Sequence, residues 1–136
     1  GAPFIAFNTE VERFCEKNIH HLSVGNNVRA LLDVVKQLSE TALKLKDRMT
    51  SDPLQWAACT YPALLCFSEV FMSWRLLDLA IIAHSIIDDG NKDDFFTGKI
   101  MQATYFTDIT LPQTSARIGT LLRSGREISE IPVGAF

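Results

Sequence analysis

Basic residues are too few and too scattered here for a nucleic-acid partner: thirteen Lys and Arg stand against sixteen Asp and Glu, giving a net charge of −3. A pI near 5.5 without a basic cluster lacks the electrostatic footprint that a phosphate backbone demands. Glycine and proline, seven and five in 136 residues, are too sparse for a linker or a low-complexity chain. Cysteine is scarcer still. Cys15, Cys59 and Cys66 are odd in number and never spaced as CxxC, which argues against a disulfide framework or a zinc ribbon. The motifs GxGxxG, GxSxG, HExxH and the P-loop are all missing, so no phosphate cradle, nucleophile elbow or zincin helix is offered. No charged segment precedes an apolar one at the start, so no signal peptide is read. The opening Gly1-Ala2-Pro3, without an initiator Met, suggests processing, a tag or excision from a longer polypeptide. Free thiols in apolar surroundings fit a reducing compartment, and the cytoplasm is the expected location.

What is abundant is apolar: 47% of residues are hydrophobic and 21% charged, a balance that suits one domain with its own core. Four helical segments emerge, roughly 9–24, 27–49, 53–87 and 94–123, and no convincing strand. Thr9 with Glu12 reads as a capping box opening the first. Val11, Phe14, Cys15, Ile19 and Leu22 follow at helical spacing until Gly25 and Asn26 end it. Val28, Leu31, Val35, Leu38, Ala42, Leu45 and Met49 form the clearest stripe, with Arg29, Lys36, Lys44, Lys46 and Asp47 off it. Glu40 can meet Lys44 one turn on. Asp52 and Pro53 restart the chain as cap and first helical residue.

From Pro53 to Ile87 only Glu69, Arg75 and Asp78 are charged, and apolar residues occur on every face, as in a helix enclosed by neighbours. A membrane span competes, but the uncharged run 53–68 is short of the ~20 residues a bilayer needs. Pro62 should kink this helix and Pro112 bend or break the next. In the last helix Phe96, Ile100, Ala103, Thr107, Leu111, Thr114, Ile118 and Leu121 share a stripe. Asp93 or Asp94 caps its start, Ser124 and Gly125 end it, and Arg123 and Arg126 suit its negative end. A tail, 124–136, closes the chain. Short links favour antiparallel neighbours, hence an all-α, up-down-up-down four-helix bundle with a short C-terminal tail.

Candidate sites are weak. No Glu has a His three residues later, so the di-iron pattern of helical bundles is missing. A haem or di-metal bundle would require bound metal. His20 and His21 point to different faces. His84 can pair with Asp88 one turn on. The acidic turn Asp88–Asp94 departs from the EF-hand pattern and reads as a solvated turn with a cap. Charges inside an enclosed helix must be paired or reach an edge, so Glu69, Arg75 and Asp78 are read as either an internal ion pair, Arg75 with Asp78, or a contact to a partner domain. Trp56, Tyr61, Phe67, Phe71 and Trp74 read as core. No catalytic, cofactor-binding or metal-binding residue is assigned.

Three groups carry a family likeness. Tyr61-Pro62-Ala63-Leu64-Leu65-Cys66-Phe67-Ser68-Glu69-Val70-Phe71-Met72-Ser73-Trp74-Arg75 is similar to a tyrosine-to-tryptophan helix. Phe95-Phe96-Thr97-Gly98-Lys99-Ile100, through Ala103, Tyr105 and Phe106 to Leu111-Pro112, resembles that family's last long helix. Ile128-Ser129-Glu130-Ile131-Pro132-Val133-Gly134-Ala135-Phe136 looks like its closing tail. Together, from Trp56 to the end, they resemble the extra C-terminal helical domain of a branch of the FAD-dependent acyl-CoA dehydrogenases, and the heptad helix from Val28 to Met49 fits the preceding family helix by position. The resemblance implies a parent oxidoreductase in which a Glu base takes the α proton of an acyl-CoA thioester while FAD accepts the hydride. Flavin site and Glu would both lie on upstream domains, and no catalytic residue is carried over. The role left to this chain is structural: packing on the catalytic domain of the same polypeptide, walling the acyl-CoA entrance, or a subunit contact in a homo-oligomer. An excised domain should then bare an apolar patch along the third or last helix. The alternative is a free-standing four-helix interaction or oligomerisation module with no catalytic activity.

Overall fold

The second helix shows most plainly how pattern becomes packing. Val28, Leu31, Val35, Leu38 and Leu45 of the stripe are buried, whereas Ala42 is half-buried and Met49 is exposed; all lie on α2 (Gly25–Ser51). In this computed structural model, which describes residues 2–123 and 126–136 apart from the side chains of Arg126 and Ser129, α2 is one of four long helices. The others are α1 (Ala2–Asn18), α3 (Pro53–Asp88) and α4 (Asp94–Leu121), followed by a short α5 (Arg126–Ser129) and a 3-10 turn at Val133–Ala135. No strand occurs among the described residues.

Cross-helix contacts set the directions. Asn27 donates to Thr107 Oγ1 at 2.7 Å, Gln37 to the Ser115 carbonyl at 3.1 Å and Arg48 to the Leu122 carbonyl at 2.8 Å. Numbers rise together, so α2 and α4 run parallel. Phe4 with Phe67, Phe7 with Trp74 and His21 with His84 do the same for α1 and α3. Cys59 meets Leu121 and Glu69 meets Arg117, so numbers fall along α4 as they rise along α3 and the two are antiparallel; Asn8 against Ser39, with the short link between the helices, folds α1 back on α2. The result is the up-down-up-down bundle. Its core joins Val11 and Cys15 of α1, the α2 stripe, Cys66, Val70 and Leu77 of α3, and Leu111, Ile118 and Leu121 of α4.

The first helix departs from expectation at both ends. It begins at Ala2 rather than near Thr9. No capping box forms, because the Thr9 hydroxyl donates back to the Ile5 carbonyl at 2.8 Å as a mid-helix residue does. The residues ahead of Thr9 are held by tertiary contact, Phe4 lying edge-on to Phe67 at 4.2 Å. The helix also stops at Asn18, so Leu22 lies in the connecting turn and is 94% exposed instead of buried. Gly25 does not end α1 but starts α2. A Cβ there would come within 2.8 Å of the Ile19 carbonyl oxygen, so the turn closes only over glycine.

The later caps follow the pattern more closely. The Asp52 side chain accepts from Gln55 N–H and Asp93 from Phe95 N–H at 2.9 Å. Neither proline interrupts its helix: α3 runs on through Pro62 and α4 through Pro112. No ion pair joins Glu40 to Lys44. The helix end at Ser124 and Gly125 lies outside the described residues, as does the Arg126 side chain. The negative end of α4 is met from elsewhere, by Arg48 and Gln55, both donating to the Leu122 carbonyl. The tail is partly helical, through α5 and the 3-10 turn.

α3 is not enclosed on every side, as its composition suggests. Cys59, Cys66, Val70, Leu77 and Ala80 face the core, while Tyr61, Leu64, Met72, Leu79 and Ile82 are exposed. By length and composition α3 suffices to cross a membrane, so the shortness of the run 53–68 does not exclude a span. The case for a bundle helix rests on its partners: the buried face just named and the charged bridge to Arg117.

Candidate functional site

The charged residues of α3 resolve into ion pairs. Arg75 and Asp78, three apart on one face, meet at 3.3 Å, and the Arg75 guanidinium also lies over the Trp74 ring at 5.1 Å. Glu69 is bridged to Arg117 of α4 and is the more buried of that pair. This partner was not foreseen, since α3–α4 register cannot be read from either helix alone. Burial pushes the Cys66 thiol up, with the neighbouring Arg117 pulling the other way.

At the other end of α3, His84 Nδ1 lies 3.3 Å from the Asp88 carboxylate, as the spacing suggests. His21 adds a ring contact: it packs edge-on to His84 at 4.9 Å, and its own Nδ1 accepts from Ser23 N–H at 3.1 Å. His20, exposed, does not join them. Burial lowers the pKa of His21, the nearby His84 lowers it further, and Asp88 opposes both. Among the described residues no three His, Cys, Asp or Glu gather to hold a metal ion. The acidic turn is occupied by its own bonds: Asp93 N–H to Asn91 at 3.0 Å and Lys92 to the Ile87 carbonyl, with Gly90 at φ 107°.

All three cysteines are free and buried. The Cys15 thiol is pushed up to about 12 by burial and by Glu12 and Glu16 on the same helix, so it is no nucleophile at neutral pH. The aromatic residues divide. Trp56, Phe67 and Trp74 pack against the core, whereas Tyr61 and Phe71 are largely exposed.

An apolar cleft of about 660 Å³ lies among α1, α2 and α3, walled by Phe4, Met49, Trp56 and Phe67 with Asn8, Glu12 and Lys46. Its donor set does not fit a flavin dinucleotide. One lysine, offset by a glutamate, cannot neutralise a doubly charged pyrophosphate.

These features define a class: an all-α bundle of four long helices packed around one apolar core. The chain belongs to the acetyl-CoA dehydrogenase C-terminal-like family, which it matches over residues 7–132. The match covers α2, which fits the family by position, reaches further back into α1, and stops at Pro132, leaving the last residues of the family-like tail outside it. No curated protein matches the chain.

Proposed function

We propose that this chain is the accessory helical domain of an acyl-CoA dehydrogenase, itself non-catalytic, and that it docks through the outer face of α3 on the catalytic domain of the same polypeptide or on a neighbouring subunit. The parent would desaturate an acyl-CoA thioester with FAD held upstream. The family match supports the setting. The observation that carries the role is the row Tyr61, Leu64, Met72, Leu79 and Ile82, bare of cover and on one side of α3 by helical spacing. An apolar row of this kind marks an interaction surface. Ser68, Arg75 and Asp78 interrupt the same helix with polar and charged groups, which favours a protein cover over lipid. The three buried free thiols fit a reducing cytoplasm.

Hydroxyl-radical footprinting tests this directly. Tyr61, Phe71 and Met72 should be oxidised in the isolated 136-residue chain and protected in the parent enzyme. Equal oxidation in both, or stoichiometric FAD binding by the isolated chain, would contradict the reading.

A further inference from the structure

The cleft among α1, α2 and α3 is not accounted for by docking through α3. Its size, about 660 Å³, falls within the ~300–1,000 Å³ of small-molecule sites. Two small side chains, Ala42 and Ala63, help leave the space that Phe4, Trp56 and Phe67 surround. One wall group is out of keeping with the rest. Asn8 is only 4% exposed, and its Oδ1 is one of two buried side-chain polar atoms, among the described residues, without a hydrogen-bond partner. The other, Ser73 Oγ, is not part of this wall.

The amide orientation follows from its neighbour. The Ser39 hydroxyl donates to the Val35 carbonyl at 2.9 Å, so toward Asn8 it can only accept, and Asn8 Nδ2 supplies the proton at 2.7 Å. Oδ1 is therefore left as a buried acceptor without a partner, a group that is costly to leave unpaired. The terminal torsion of Asn is soft, and rotation of the amide is the movement that would bring Oδ1 to the cleft.

We infer that this cleft binds a neutral aliphatic molecule carrying one hydrogen-bond donor, a hydroxyl or an amide N–H, which pairs with Asn8 Oδ1 while the chain lies against Phe4, Trp56 and Phe67. A carboxylate is the wrong headgroup. It would set acceptor against acceptor at Asn8, and the single Lys46 charge on the wall is matched by Glu12. The inference concerns the space among α1, α2 and α3 and is independent of the docking role of α3.

The test is an amide-resolved NMR titration of the 136-residue chain with 1-octanol, octanamide, octanoate and an ether of equal length. Saturable shifts are expected at the Asn8 side-chain amide, Ala42, Ala63 and the Trp56 indole for alcohol and amide. The ether and octanoate should bind about tenfold more weakly, the factor that one net hydrogen bond supplies. Asn8→Leu should stay folded by circular dichroism and erase the preference of alcohol over ether. Ala42→Leu, which fills the cleft, should weaken every ligand. Absence of saturable binding, equal binding of ether and alcohol, or a preference that survives Asn8→Leu would each overturn the proposal.

Discussion

Cys15 shows what burial does to a reactive group. Deprotonating its thiol would place a charge among apolar side chains, and Glu12 and Glu16 oppose that charge as well, so its pKa is held near 12. Cys59 and Cys66 are as deeply covered. A thiol reagent at pH 8 should therefore label none of the three in the folded chain and all three in urea, and mass spectrometry counts the adducts. His21 gives the pH-dependent counterpart. Its pKa is lowered from 6.5, so between the lowered value and 6.5 the unfolded chain binds more protons than the folded one. The contribution to stability is thus fully present above pH 6.5 and lost as pH falls through the folded value. An NMR titration should place the His21 midpoint below 6.5, and His84→Ala should move it upward, since His84 is one of the neighbours that lower it. A midpoint at or above 6.5 in the parent sequence would contradict this. The His84–Asp88 pair was legible in the sequence because it lies within one helical turn. The His21–His84 contact was not, since it depends on where the turn after α1 delivers residue 21.

Helix by helix, legibility followed the range of the interactions that set each boundary. The α2 stripe, the Asp52 cap with Pro53 and the Asp93 cap are local, and each was read from neighbouring residues. The start of α1 is set by aromatic contacts of Phe4 and Phe7 with α3, so Thr9 and Glu12 resembled a cap that tertiary packing makes unnecessary. The end of α4 is similar. By charge, Arg123 and Arg126 suit its negative end, and Arg48 and Gln55 also reach the Leu122 carbonyl from other helices. Arg48→Ala should cost about 1–2 kcal/mol in chemical denaturation, a charge-assisted bond being lost while Gln55 still serves the carbonyl. Arg48→Ala with Gln55→Ala should exceed the sum of the two single losses, because only the double variant strips the carbonyl of both side-chain donors. Gly25→Ala probes the turn instead. The atom its Cβ would strike is backbone, which no rotamer change relieves, and a loss of about 1–3 kcal/mol is expected.

At the scale of the molecule, α3 has two apolar faces with different duties. One holds the core; the other leaves Leu64 62% exposed and Ile82 49% exposed. The sequence shows apolar residues all round this helix, a pattern shared by a helix enclosed in its own bundle and one awaiting cover from outside. Only the positions of α1, α2 and α4 distinguish the two. The distinction predicts how substitutions divide. Changing Leu64, Leu79 and Ile82 together to Gln removes apolar surface that contributes little to the fold, and each change should shift unfolding free energy by no more than about 0.5 kcal/mol. Leu77→Ala, on the inner face of the same helix and fully buried, should cost about 2–5 kcal/mol. Self-association of the isolated chain, followed by sedimentation velocity, should fall with the triple Gln variant, and in the parent enzyme the same variant should loosen the domain to proteolysis. Were the triple variant as destabilising as Leu77→Ala, the outer face would belong to the fold of this domain, and a docking role for α3 would have no surface left to act through.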